Sequence, residues 1–137
     1  MKKIFRIALI AGLLLIGFSL WKMYELPLWG HWTLVYFLGL WTILNAAIFL
    51  WKKYDAHDLK NISLTWLGAL ALSAGFPPYP LIGASFIGLV FFFIHRDRSE
   101  HASYNRFRYN WQLFSGLWLW NILTTFWVEN TLFTSGL

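Results

Sequence analysis

The sequence predicts an all-α fold: a polytopic membrane helical bundle of about five transmembrane helices, with a proline-rich turn between the third and the fourth. Three observations predict it. Of the 137 residues, 58% are hydrophobic and 12% charged, about half the charged share of an ordinary soluble domain. The apolar residues run in long uncharged blocks instead of recurring at amphipathic spacing, the pattern of a chain whose solvent is hydrocarbon. The basic residues flank those blocks, where they set membrane orientation.

A bilayer core of roughly 30 Å takes about 20 helical residues. Five stretches are predicted as spans: Ile4 to Trp21, Trp32 to Trp51, Ile62 to Phe76, Tyr79 to Ile94 and Trp111 to Val128. The first opens on "MKKIFR" like a secretory leader, but bulky Trp21, Lys22, Met23 and Tyr24 stand where a cleavage site needs small residues. A retained helix is therefore expected. Residues 1–60 are read as an amino-terminal pair of membrane helices and 61–137 as a second membrane segment.

From Asn61 to Ile94 the chain carries no charge for 34 residues. As one helix this run would extend about 51 Å, too long for the bilayer. It has to fold back, and Pro77, Pro78 and Pro80 mark the place. Proline removes a backbone donor and biases the residue before it away from helical geometry, so Pro77 and Pro78 end one helix, while Pro80 suits the first turn of the next. A re-entrant loop is the alternative, tolerated only where protein or water surrounds the broken helix.

This layout puts the N-terminus in the cytoplasm. Of the eleven basic residues, Lys2, Lys3, Arg6, Lys52, Lys53, Lys60, Arg96, Arg98, Arg106 and Arg108 then share the cytoplasmic side and only Lys22 lies outside. The formal charge of +5 is thereby assigned to topology and anionic headgroups, and no nucleic-acid partner is expected. The stretch "HRDRSEHASYNRFRYN" interleaves Arg96, Arg98, Arg106 and Arg108 with Tyr104, Phe107 and Tyr109. Beside a bilayer that pattern fits phospholipid headgroups.

Small residues predict where helices pack closely: Gly39, Thr42 and Ala46 in the second span, Gly68, Ala71 and Gly75 in the third, Ala84 and Gly88 in the fourth. Trp29, Trp32, Trp51, Trp111 and Trp127 fall near span ends, where amphipathic rings prefer the headgroup zone.

Candidate chemistry is sparse. His31 is placed on the outer side, and His57, His95 and His101 on the inner side in charged loops, without the spacing of a haem or metal site. Asn45, Asn121, Thr124 and Thr125 are the notable polar side chains of the spans, expected to make helix-to-helix hydrogen bonds. Glu129, just past the last span, is a lone acid without a partner for acid–base work. With no cysteine, disulfides, thiolate metal sites and a catalytic thiol are excluded. No catalytic, cofactor-binding or metal-ligating residue is assigned.

From about Leu64 onward the chain resembles a family. The segment "LTWLGALALSAGFPPYPLIGASFIGLVFFFIHRDR" looks like the amino-terminal membrane segment of apolipoprotein N-acyltransferases, with Phe76, Pro78 and Tyr79 in an aromatic and proline turn between two short helices. The following "NWQLFSGLWLWNILTTFWVENTL" is similar to that family's next span, through Gly116, Asn121, Trp127 and Asn130. The resemblance implies the inner membrane of a bacterium and transfer of an acyl chain from a phospholipid to a lipoprotein amino group. It also implies a nitrilase-like catalytic domain with a Glu, Lys and Cys triad, and none of these three residues is carried over to a position in this sequence. A cysteine-free chain has no carrier for a thioester intermediate.

The expected functions are therefore the membrane part of an acyltransferase-like enzyme, truncated or encoded apart from its catalytic part, inactive alone; a small accessory subunit of a larger membrane complex; or a lipid or pigment binder. Phospholipids, other membrane subunits or a separately encoded catalytic part are the expected partners.

Overall fold

A computed structural model of the chain describes residues 2–25, 31–76, 81–101 and 105–134; the side chains of Ile82, Glu100, His101 and residues 126–134 lie outside this description. Five α-helices make up the described fold, α1 (Lys2–Glu25), α2 (Trp32–Lys52), α3 (Ala56–Ala74), α4 (Ile82–His101) and α5 (Arg106–Thr134), with no strand among the described residues. The all-α expectation is met. Two of the described helices, α1 and α2, are long and apolar enough to cross a membrane.

The helices overrun the apolar stretches from which spans were read. Asp55 starts α3 well before Ile62: its carboxylate accepts from the Asp58 backbone N–H at 2.8 Å, and the Asp58 carboxylate accepts from the Asp55 N–H at 3.2 Å. This reciprocal capping box satisfies two of the donors that a helix start leaves orphaned. Asn105 does the same for α5, its side-chain oxygen accepting from the Phe107 N–H at 2.9 Å. No proline or glycine interrupts α4 after Ile94, so it continues through Arg96, Asp97 and Arg98. The stretches "KKYDAHDLKN" and "HRDRSEHASYNRFRYN", expected as loops, are thus largely helical, and α5 runs on past Glu129. Charged residues are ordinary helix formers; hydropathy reports the apolar run, not the helix end.

The chain forms two compact units, residues 54–124 and residues 1–53 with 125–137. In the latter, α1 and α2 form an antiparallel hairpin. Phe5 meets Phe49 edge-on at one end and Phe18 meets Trp32 at the other, with ring centroids 5.1 and 5.3 Å apart. Between them the backbones cross at Gly12 and Gly39. A Cβ on either glycine would lie 3.0 Å from the carbonyl oxygen of the other, so a side chain at this point forces the helices apart. Gly39 and Ala46 are buried as expected of a packing seam. Lys53 ends α2 in the left-handed region at φ 50°, its N–H capping the Phe49 carbonyl.

In the unit of residues 54–124, α3 is the central helix. It runs antiparallel to α4, and the return is fixed where the Leu81 N–H donates to the Ala74 carbonyl at 3.3 Å. The fold-back of the uncharged run is therefore present, though Pro77, Pro78 and Tyr79 themselves lie outside the described residues. Gly68 and Gly88 form the crossing, each glycine's Cβ position lying within 3.0 Å of the other's carbonyl oxygen. On another face α3 runs parallel to α5, where Gly116 fits against Thr65 with no room for a Cβ: the nearest backbone atom, the Thr65 carbonyl oxygen, would be 2.8 Å away.

Candidate functional site

Along α3, Asp58, Asn61 and Thr65 follow at helical spacing and all three are almost completely buried. They face polar groups on the neighbouring helices. The Thr65 hydroxyl donates to the Gln112 carbonyl at 2.9 Å, and the Trp66 indole N–H donates to the Ser115 hydroxyl at 2.9 Å. Between α4 and α5, His95 Nε2 lies 2.9 Å from the Gln112 side-chain oxygen. Gln112 is thus held from two directions, through its side chain by α4 and through its backbone by α3.

His95 is the focal residue of this cluster. Its ring is fully buried, stacks on Tyr109 at 5.4 Å between centroids, and leaves Nδ1 without a partner. It stands one residue beyond the uncharged run, at the end of α4 where charges begin. Burial pushes its imidazole below the usual histidine range, opposed by the hydrogen bond to the Gln112 side-chain oxygen. A neutral ring donating through Nε2 presents a bare Nδ1 acceptor.

At the same end of the unit, Arg108 on α5 reaches Asp58 on α3, with N···O 2.6 Å. The carboxylate is 2% exposed and the guanidinium 32%, so the acid is desolvated while the base keeps contact with water. The Arg108 guanidinium also lies 5.3 Å from the Tyr54 ring centroid. Beside this pair His57, Lys60 and Asn61 of α3 face Asp97 and Arg98 of α4 across an open cleft of about 390 Å³.

Polar side chains share the interior of this unit with Ile62, Ala69, Leu72, Leu119 and Ile122. Asp58, Asn61, Thr65, His95, Gln112 and Ser115 are its most enclosed polar side chains, whereas Leu67, Leu70, Phe86, Val90, Phe93 and Phe114 are about half exposed or more.

Several expected positions are revised by this geometry. His57 and His95 lie within helices, not loops. Asn45 and Thr124, expected to bond between helices, each donate to a carbonyl four residues back in their own helix. The inter-helix bonds come from Thr65, Trp66, His95 and Arg108. Gln112 and Ser115 were missed altogether, being isolated among aromatic residues. Asn121 is exposed, as is Thr125. The side chains of His101, Trp127, Glu129 and Asn130, and all of Trp29 and Tyr104, lie outside the described residues.

Of the resemblance residues that are described, Phe76 packs edge-on against Trp120 at 5.7 Å and Gly116 sits at the α3–α5 contact. Among the described residues no group of three or more histidine or acidic side chains is placed to hold a metal ion. No protein-family model, no curated protein and no solved structure matches this chain.

Proposed function

We propose that this chain is a five-span protein of a bacterial inner membrane, with its N-terminus in the cytoplasm, forming the non-catalytic membrane part of an acyl-transfer system of the apolipoprotein N-acyltransferase kind. The observation that carries the membrane reading is the set of large apolar side chains exposed on residues 54–124 around a hydrogen-bonded polar cluster. In hydrocarbon, polar side chains serve as contacts between helices and the surface is left to lipid. The charges of α3 and α4 and the basic residues of α5 lie at one end, with Glu129 toward the other end of α5, which keeps each uncharged stretch short and calls for local thinning of the bilayer.

The acyl-transfer reading rests on the resemblance carried in the sequence by Phe76, Pro78 and Tyr79 and by the stretch beginning at Trp111, together with the antiparallel return of α3 and α4. None of these 137 residues can supply a cysteine nucleophile. A second reading, an accessory subunit of a larger membrane complex, is favoured by the internally bonded polar cluster, whose side chains are committed to holding helices together.

Two experiments test these readings. Single cysteines are clean probes in a chain that has none of its own. With a membrane-impermeant maleimide on intact cells, Tyr79→Cys should label and Arg98→Cys should not; labelling of both from one side contradicts the five-span layout. Purification of the tagged chain should then recover a cysteine-containing nitrilase-like protein. Stoichiometric recovery of unrelated membrane subunits instead would favour the accessory reading.

A further inference from the structure

The cleft between the start of α3 and the end of α4 has a chemistry that the helix packing does not require. Its lining combines Lys60 and Arg98 with Asp97, His57 and Asn61. With a neutral histidine, two cations and one carboxylate leave a single formal positive charge. Among the described residues neither Lys60 nor Arg98 is engaged in an ion pair, whereas Asp58 close by is already matched by Arg108.

The helix faces that end at this cleft are apolar. At about 100° per residue, Phe86, Val90, Phe93 and Asp97 fall within roughly 60° of one another on α4, and Ile94 leads into Arg98 one turn later. Phe86, Val90 and Phe93 are 68%, 53% and 65% exposed. On α3 the exposed Leu67 shares a face with Lys60, seven residues apart. Each helix thus presents an apolar strip with a charged head at the same end of the hairpin, the outline of a bound amphiphile.

We propose that this cleft holds the phosphodiester of an anionic glycerophospholipid, its acyl chains lying along the Phe86–Val90–Phe93 strip of α4. Lys60 and Arg98 take the phosphate oxygens, Arg98 through its planar fork of donors. The Asn61 amide and the His57 ring line the same space, and Asp97 accepts from a hydroxyl on the headgroup beyond the phosphate. A singly charged phosphodiester matches the charge of the cleft, and the apolar strips favour a lipid over a soluble phosphate ester. The site lies at the end of the hairpin opposite the proline turn, so the lipid is a resident one that anchors the cationic end of the unit in the membrane. This inference rests on the membrane reading above.

The test is native mass spectrometry of the full chain released from detergent micelles, titrated with phosphatidylglycerol or with phosphatidylcholine of the same acyl composition. Phosphatidylglycerol should bind in preference, and K60Q/R98Q should weaken it about tenfold or more. The K2Q/K3Q variant, which removes the same charge elsewhere, and the charge-conserving K60R/R98K variant should both retain the preference. Equal losses in K60Q/R98Q and K2Q/K3Q, or loss in K60R/R98K, would overturn the site. Displacement of the lipid by equimolar water-soluble glycerophosphoglycerol would overturn the lipid assignment in favour of a free phosphodiester. Alkaline carbonate extraction separates the two levels: a chain that stays with the membrane but shows no lipid preference sinks this inference alone, and a chain released into the supernatant sinks the membrane reading as well.

Discussion

Asp58 and Arg108, fifty residues apart, meet at 2.6 Å and tie the first turn of α3 to the first turn of α5. The same Asp58 carboxylate oxygen accepts from the Asp55 backbone N–H, so one acid both completes a helix cap and joins two helices. Removing its charge leaves the guanidinium without its partner and the cap half made. Asp58→Asn should destabilise the chain by about 2 kcal/mol, read by tryptophan fluorescence during denaturation in detergent micelles. Arg108→Gln should cost more, because it takes a counter-charge from a carboxylate that is 2% exposed, whereas the guanidinium left by D58N keeps contact with water. A D58N variant as stable as the parent would show that the pair contributes nothing.

Asp55 gives a prediction in pH. The hydrogen bond from the Asp58 N–H, with smaller help from His57 and Arg108, holds its carboxyl below the ordinary value of 3.8 against a small opposing effect of burial. A depressed acid contributes stability that is present above its unfolded value and lost as pH falls through its folded one. Asp55→Ala should therefore cost about 1 kcal/mol at neutral pH, and the gap to the parent should narrow as pH drops below 3.8. A gap that stays constant into acid would mean the carboxylate is not what caps α3.

His95 and Gln112 are joined by one hydrogen bond in a dry place, Nε2 to the side-chain oxygen at 2.9 Å. Gln112→Leu should cost about 1–3 kcal/mol, since the buried Nε2 is then left unsatisfied. His95→Leu orphans the glutamine in turn. The double variant should cost less than the two single losses added together, by about 1 kcal/mol or more. Strict additivity in this cycle would mean that the two side chains do not act as a unit.

The all-α class, the fold-back between Ala74 and Leu81 and the Gly39, Gly68 and Gly88 crossings were legible in the sequence, because hydropathy, proline and glycine act locally. The polar cluster was not. Helix starts are set by caps such as Asp55 and Asn105, which shift the boundary by more than a turn and carry His57 out of a supposed loop, while α4 runs uninterrupted through His95. Gln112 acquires meaning only when α5 packs beside α3 and α4, bringing it to Thr65 and His95. One signal was available: Asp58, Asn61 and Thr65 recur every three or four residues, a polar stripe along one face of α3.

The glycines separate packing from propensity most cleanly. At Gly88 a Cβ would lie 2.7 Å from the Leu72 amide nitrogen and 2.8 Å from the Gly68 carbonyl oxygen, both backbone atoms that move only if α3 and α4 separate. At Gly83, on the same helix, a Cβ meets nothing within 4 Å. Alanine is the better helix former by up to about 1 kcal/mol, so propensity alone predicts that both substitutions stabilise. Overpacking of about 1–3 kcal/mol reverses the sign at Gly88 and leaves it unchanged at Gly83. Denaturation midpoints in micelles should therefore fall for Gly88→Ala and hold or rise for Gly83→Ala. If both variants rise together, the two helices do not cross at the Gly68–Gly88 contact, and the α3–α4 hairpin must pack through a different face.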